Sequence, residues 1–454
     1  METKKSDSLN EKIFKAYDIR GVYPDEINED AAYLIGKAFV EFLGCKSVVV
    51  GRDMRKSSPS LFESLVKGIT EQGADVIDIG MVATPMLSFA VMQWNSEAGI
   101  MVSASHNPAQ YNAFKLIQNK NGLALQIYGG GGIDEIKKIC IASEFRKSEK
   151  RGTVEKKSIN EDYKSRLLSV AQGIKDLKIV CDYGNGVGSI SAMPALDVLP
   201  IKVTHMFAEP DGDFPNHAPN PHDIENLIFL QKKVVEEKAD LGIFFDGDAD
   251  RSQLVNEKGE IIFPDMALGI LALEELANKG KGKVFHDLRF TKAVSESIGE
   301  HGGEAVMMRV GNPFYKEALN DEQGLLAGEF SGHIMFREFY GIDDGLYSAL
   351  KFMSIMCKQG KKASELAIPF QKYFQTEEIN MKVSDADAAM DKVKEKYSGG
   401  KLIAIDGILI DSGDWWLSLR KSNTEPLVRL RIEAEKKEIL DEKRKEVLSV
   451  IESA

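Results

Sequence analysis

The sequence predicts an α/β protein of four successive units, the first three with similar mixed α/β cores and the fourth a smaller α+β domain. Three observations carry this expectation. Apolar strand-like runs that end in Asp recur along the chain, with helix-patterned stretches between them. The 454 residues, 43% of them hydrophobic, exceed what one compact core organises. Near residue 370 the texture shifts to short strands around a single helix pattern.

In chain order, "SVVVGRD" (47–53) reads as a buried strand with a polar turn. "LFESLVKGITEQG" follows, with apolar residues at helical spacing and a closing Gly. "ADVIDIG" starts the next strand, and the same grammar returns at "LKIVCDYGNGVGS" (177–189), "ADLGIFFDGDADR" (239–251) and "GKVFHDLRF" (282–290). Such Asp-bearing ends put functional groups at the carboxyl ends of strands, and their recurrence is a weak internal repeat. The charged stretch 143–158 reads as a solvated connection, and "NEKGEII" (256–262) as a hairpin leading into a third unit. "INMKVSDADAAMDKVKEKY" (379–397) opens the α+β module. The expected units are 1–152, 153–255, 256–370 and 371–454.

Charge and cysteine usage narrow the function classes. A net charge of -12 and a pI near 5.3 argue against a general nucleic-acid or anionic-membrane surface, while permitting a local basic pocket for an anionic metabolite. Cys45, Cys140, Cys181 and Cys357 are scattered without a CxxC pair, so neither a zinc site nor a disulfide framework is indicated. The polar start and the lack of a bilayer-length apolar run point to the cytoplasm. No coiled-coil heptads are visible, and the oligomeric state is left open.

Four stretches carry chemistry. "FFDGDADRSQLV" (244–255) sets Asp246, Asp248 and Asp250 at alternate positions after an apolar strand, three oxygen ligands suited to Mg²⁺. An EF-hand is disfavoured because Arg251 stands where that loop needs Gly; a DxD phosphatase loop with Asp246 as nucleophile, or a merely solvated turn, stays open. "MVSASHNPAQYNAFKL" (101–116) offers Ser105 beside His106. A Ser–His triad is disfavoured, because neighbours on an extended chain point to opposite sides and no G-x-S-x-G elbow is present. A serine near a hard-metal site is better used to carry a phosphoryl group. "LRKSNTEPLVRLRIEA" (419–434) combines Ser422, Asn423 and Thr424 with Arg420 and Arg429, a phosphate-matching set that also reads as a polar turn. In "GEFSGHIMF" (328–336), Glu329, Ser331 and His333 share one face if the segment is extended, as groups that grip hydroxyl-rich ligands or as a polar strand edge.

Together with "FKAYDIRG" (14–21), "GRDMRKSSP" (51–59) and "PDGDFPNHAPNP" (210–221), these stretches resemble the α-D-phosphohexomutase family, in its phosphomannomutase/phosphoglucomutase branch, over essentially the whole chain. The resemblance implies four domains around a central cleft and a mobile last domain. It implies a hexose 1-phosphate/6-phosphate mutase in which Ser105 is stored as phosphoserine, gives its phosphoryl group to the sugar phosphate, and recovers the other phosphate from a hexose 1,6-bisphosphate. Mg²⁺ would sit on Asp246, Asp248, Asp250 and a phosphoserine oxygen.

The resemblance also assigns roles. Lys115 is the general acid/base, with a basic neighbourhood expected to lower its pKa. Arg20 stabilises developing charge, Tyr17 lies near the incoming phosphate, His106 orients the site and Arg251 contacts phosphoryl groups. Glu329 and Ser331 read the sugar hydroxyls; Arg420, Ser422, Asn423, Thr424 and Arg429 hold the non-reacting phosphate; Arg289 and His333 are further contacts. Gly311-Asn312 replaces a Gly-His pair found in relatives, which bears on substrate choice among mannose, glucose and amino-sugar phosphates. A non-catalytic sugar-phosphate-binding protein is the alternative of a different class.

Overall fold

The computed structural model describes residues 9–421 and 427–453. Three of its four sheets share one strand order. In the first, Ser47–Arg52 lies between Asp75–Met81 and Ala98–Val102, all parallel, and Tyr111–Lys120 runs antiparallel beside the last. In the second, Lys178–Asp182 lies between Lys202–Met206 and Leu241–Phe245, with Ser252–Asn256 antiparallel. In the third, Lys283–Asp287 lies between Glu304–Met308 and Leu326–Gly328, with Ile334–Phe336 antiparallel. The weak sequence repeat is therefore a structural repeat. The fourth sheet is antiparallel throughout, built on Trp415–Lys421 paired with Leu427–Ala434 and Ile408–Asp411, and carries the helices Ala386–Lys396 and Lys437–Glu452.

Local chemistry explains these elements. Ala98–Val102 and Leu241–Phe245 are buried along their whole length, as strands covered on both faces must be, and hence read as unbroken apolar runs. Helix Glu29–Leu43 starts where the Asn28 side chain accepts the Ala31 N–H and stops at Gly44, whose φ of 63° ends the helix in the left-handed region. Helix Gly345–Gln359 is capped by Asp344, which accepts from the N–H groups of Leu346 and Tyr347.

Two segments differ from expectation. Val154–Lys156, inside the stretch read as a connection, pairs in parallel with Asp75–Met81 at the edge of the first sheet. Ile261–Ile262 pairs with Ser252–Asn256, so the hairpin closes the second sheet before the chain enters helix Pro264–Lys279. Both are short edge strands with little apolar pattern of their own.

One continuous apolar core runs through the first three sheets, from Val49 through Ile179 and Leu268 to Phe370. The fourth unit has a separate core around Leu417, Leu430, Ile432 and Val447. No helix among the described residues is long and apolar enough to cross a membrane.

Candidate active site

In each repeat, the turn between the third parallel strand and the antiparallel strand carries the polar chemistry. Ser105 follows Ala98–Val102, the Asp246–Asp250 loop follows Leu241–Phe245, and Glu329 follows Leu326–Gly328. These are carboxyl ends of equivalent strands in three separate sheets, where open α/β sheets place ligands.

The serine is buried and has a φ of 51°, a left-handed conformation uncommon for a residue with a side chain. Arg55 fixes that turn. Its buried guanidinium donates to the carbonyls of Ser105 (2.8 Å), Asn107 (2.6 Å), Pro108 (2.7 Å) and Tyr111 (3.0 Å), and its Nε to Asp53 (3.2 Å). The left-handed turn brings Ser105 Oγ within 3.2 Å of His106 Nδ1, correcting the expectation that the two side chains diverge. A triad still does not form. Burial, then Arg251 and Arg20, hold the imidazole well below its ordinary pKa, and its Nδ1 accepts from Arg251 Nη2 at 2.5 Å. Ser105 Oγ itself donates to Asp246 Oδ2 (2.8 Å) and accepts from Arg251 Nη2 (2.9 Å).

The Asp loop packs directly on the serine turn. A Cβ on Gly247 would stand 2.4 Å from the Ser105 carbonyl oxygen, so only glycine allows this approach. Thr84, at the start of helix Thr84–Gln93, donates its N–H to the Asp248 carbonyl (3.0 Å) and its hydroxyl to the Asp248 carboxylate. Asp246, Asp248 and Asp250 are all buried, with carboxylate oxygens within 4.8 Å of one another. Lys115 Nζ donates to Asp248 (2.5 Å) and Asp250 (2.7 Å), and Arg251 Nη2 to Asp246 (2.5 Å). Three carboxylates thus face two cations. Asp248 Oδ1 and Asp250 Oδ1 remain buried without a hydrogen-bond partner. A compact set of hard oxygen donors with a surplus negative charge, in which Asp248 Oδ1 has no hydrogen bond and Asp250 Oδ1 faces Arg251 Nε at 3.4 Å, fits a divalent cation such as Mg²⁺.

The environment of Lys115 is acidic, which corrects the expected basic neighbourhood. Burial pulls its pKa down, but Asp248 and Asp250 outweigh it and the net direction is up. Asp246 moves the other way from an ordinary carboxylate: burial, reinforced by Asp250 and Asp248 against Arg251, pushes it up to about 7.

The third turn is tight, not extended. Glu329 N–H donates to the His333 carbonyl and Gly332 N–H to the Glu329 carbonyl, both at 2.9 Å, so strand alternation does not place Glu329, Ser331 and His333. Glu329 accepts from Ser331 Oγ (2.8 Å) and Gly311 N–H (3.0 Å). His333 turns to Asp343 (2.8 Å), which also accepts from Lys316 and Asn312, each at 2.6 Å. Asn312 is therefore tied through Asp343 to the same network as His333.

Arginines gather where the third and fourth units meet. Arg289 is held by Asp287 through Nε (2.9 Å) and Nη2 (2.5 Å), whereas the Arg55 guanidinium in the first repeat reaches Asp53 through Nε alone (3.2 Å). Arg420 is buried, its Nε has no partner among the described residues, and burial followed by Arg289 lowers its pKa. Arg431 lies over the Phe330 ring at 4.1 Å, with Arg289 at 5.1 Å from the same ring.

One cleft of about 1410 Å³ joins these groups: Tyr17, Arg20, Ser105, His106, Lys115, Asp250, Arg251, Arg289, Glu329, Ser331, His333, Arg420 and Arg429 all line it. Asp246 and Asp248 are fully buried and do not line it. Arg20 pairs with Asp18 (2.5 Å) and Asn107, and Tyr17 OH donates to the Val310 carbonyl (3.2 Å). Ser422, Asn423 and Thr424 lie outside the described residues.

Comparison with known proteins names the family. Residues 11–127, 159–259, 263–373 and 378–450 match, in order, the models of phosphoglucomutase/phosphomannomutase domain I, domain II, domain III (each described as alpha/beta/alpha) and the C-terminal domain. A phosphoglucomutase of Neisseria meningitidis serogroup A is 37% identical over 451 residues, covering 97% of each chain. The chain belongs to the phosphoglucomutase/phosphomannomutase family. A phosphomannomutase/phosphoglucomutase of Pseudomonas syringae is 37% identical over 94% of this chain and 92% of its own. Among solved structures of the family, a Burkholderia thailandensis member superposes with a TM-score of 0.89 at 33% identity, covering 98% of both chains.

The site of this phosphoglucomutase/phosphomannomutase family member includes groups that the motifs alone did not single out. Arg55 lies in the quoted "GRDMRKSSP", where Asp and Arg two apart gave the available signal. Asn107 lies in the quoted "MVSASHNPAQYNAFKL", whereas Thr84, Lys316 and Asp343 carry no sequence signal, because each meets its partner only through the tertiary fold.

Proposed function

We propose that this protein interconverts hexose 1-phosphates and hexose 6-phosphates, of mannose and glucose, through a phosphoryl group carried on Ser105. The observation that supports this best is a buried serine hydroxyl, wired to Arg251 and beside three carboxylates, in one cleft with a separate arginine cluster. Two phosphate-binding regions in one cleft suit a ligand with a phosphate at each end.

In the proposed step, the sugar hydroxyl attacks the phosphoryl group of phosphoserine 105. A sugar O–P bond forms, the Ser105 Oγ–P bond breaks, and the hydroxyl proton passes by Lys115 Nζ to end on Ser105 Oγ, which in its resting form donates it to Asp246. Arg251 Nη2, already 2.9 Å from Ser105 Oγ, stabilises the leaving oxygen. Asp246, Asp248, Asp250 and a phosphoserine oxygen would hold a divalent cation, which when bound would supply charge neutralisation and would compete with Lys115 for Asp248 and Asp250. Glu329 and Ser331 hold sugar hydroxyls while Arg289, Arg420 and Arg429, with Ser422, Asn423 and Thr424, clamp the non-reacting phosphate. The resulting hexose 1,6-bisphosphate turns round in the cleft and returns its other phosphate to Ser105.

The test is a coupled assay with Mg²⁺ and trace glucose 1,6-bisphosphate, offering mannose 1-phosphate and glucose 1-phosphate separately. Formation of 6-phosphates, lost in Ser105→Ala with the fold retained, is expected. Free phosphate without isomerisation would point to an Asp246 phosphatase instead, and undiminished turnover in Ser105→Ala would sink the serine mechanism.

A further inference from the structure

Where the chain crosses from the third unit to the fourth, one carboxylate holds the arginines together. Glu378 lies just before strand Ile379–Lys382, lines the cleft, and has a side chain 19% exposed. Its Oε2 accepts from Arg289 Nη1 at 2.9 Å and its Oε1 from Arg429 Nη1 at 3.3 Å. One side chain thus spans an arginine of the third sheet's unit and an arginine of the fourth. Burial would raise its pKa, but Arg289, Arg420 and Arg429 hold it below the usual carboxylate range, so it is anionic at neutral pH.

The neighbouring carboxylates have other work. Asp287 orients Arg289 and also accepts the Phe330 N–H (3.0 Å), and Asp265 faces Arg431 at 3.4 Å. Both are fully buried. Glu378 is the partly exposed anion, and it uses guanidinium N–H groups that a phosphate oxygen would use with the same geometry.

We propose that Glu378 is an affinity-setting residue: its carboxylate occupies the donors of Arg289 and Arg429 when no phosphate is bound and gives them up to the non-reacting phosphate of the sugar ligand, which rests on the clamp assigned above. The function of such an internal anion follows from the reaction. A bisphosphate that must turn round has to leave the clamp within each cycle, and a returning carboxylate offsets the loss of phosphate at the arginines. Binding is weakened by the fraction of clamps that Glu378 fills.

The test uses the full chain carrying Ser105→Ala, titrated by calorimetry with glucose 6-phosphate and separately with inorganic phosphate at fixed ionic strength. Glu378→Gln keeps the size and removes the charge; it is expected to tighten both ligands by about three- to tenfold. Glu378→Asp, one methylene shorter, should tighten them less. In the Ser105 enzyme, Glu378→Gln should lower KM and kcat together, as slowed release requires. A purely structural ion pair would lower the thermal midpoint without tightening any anion. Unchanged or weaker binding in both Glu378 variants, alongside weaker glucose 6-phosphate binding in Arg420→Ala, overturns the proposal and leaves the clamp standing. If Arg420→Ala and Arg429→Ala also leave glucose 6-phosphate affinity unchanged, the clamp itself is wrong and the role of Glu378 falls with it.

Discussion

Lys115 shows how far a residue's chemistry depends on neighbours distant in sequence. Its two carboxylate partners lie 133 and 135 residues away and reverse the pKa direction that a basic setting would give. Removing one partner of a buried ion pair leaves the other charge uncompensated. Lys115→Met in cation-free buffer should therefore cost about 3–5 kcal/mol, read as a fall in the thermal midpoint. Added Mg²⁺ should recover more of the midpoint in the variant than in the native chain, and a midpoint insensitive to the substitution would mean that water already screens the carboxylates. At this scale the sequence discloses identities but not partners. Ser105, Lys115 and the three Asp residues stand out because they are clustered along the chain, whereas the Thr84 bond to Asp248 and the Glu378 bridge join positions 164 and 89 residues apart. The convergence of Ser105 and His106 was hidden for a different reason: it depends on one left-handed backbone angle, which residue type does not specify.

Among elements, the repeat explains why four scattered motifs make one cleft. Each first strand ends in an Asp that organises the turn after it: Asp53 holds Arg55, Asp287 holds Arg289, and Asp182 accepts from Gly184 N–H at 2.9 Å and faces His217 at 3.1 Å. Short unbroken apolar runs and helical spacing made these strands and helices readable, while the two-residue strand Ile261–Ile262 is too short to stand out. The Asp182–His217 pair gives this level its prediction. Burial lowers the pKa of His217, but the hydrogen bond and charge of Asp182 outweigh it and raise the folded-state value above that of the unfolded chain. The pair's stabilisation is then fully present below the unfolded value of about 6.5 and is lost as pH rises through the folded value. The difference in thermal midpoint between the native chain and His217→Gln should shrink from about pH 5.5 to about pH 9. A difference that is constant or grows with pH would contradict the assigned pair.

For the whole molecule, the division of apolar cores sets how it comes apart. The first unit has a cluster of its own around Phe39, Val50 and Ile100, but the other face of its sheet joins the core that runs through the second and third, so these three should unfold together. The core of the fourth is wholly separate, and it meets the third through polar contacts such as Lys292 with Asp411 at 2.6 Å and Arg431 with the Arg289 carbonyl at 2.6 Å. Two of the three tryptophans, Trp415 and Trp416, are buried in that last unit. In a urea titration most of the tryptophan fluorescence change should precede the main loss of far-ultraviolet ellipticity; coincident transitions would show that the four units unfold as one. The fourfold organisation was legible in the sequence because one grammar recurs, though weakly, through the first three units and the texture changes near residue 370, but the fusion of their cores was not, since an apolar face does not announce which neighbour it will meet. The interlocking of the first two units also orders events during synthesis. Ser105 leaves the ribosome 50 residues after the Arg55 that shapes its turn and 146 residues before the Arg251 that touches its hydroxyl. At roughly 5–20 residues per second, that second interval is about seven to thirty seconds. The nascent chain therefore carries a shaped serine whose hydroxyl has only His106 beside it until the second unit emerges, and a truncated product ending before residue 246 lacks both Asp246 and Arg251, the partners that hydroxyl takes in the folded protein.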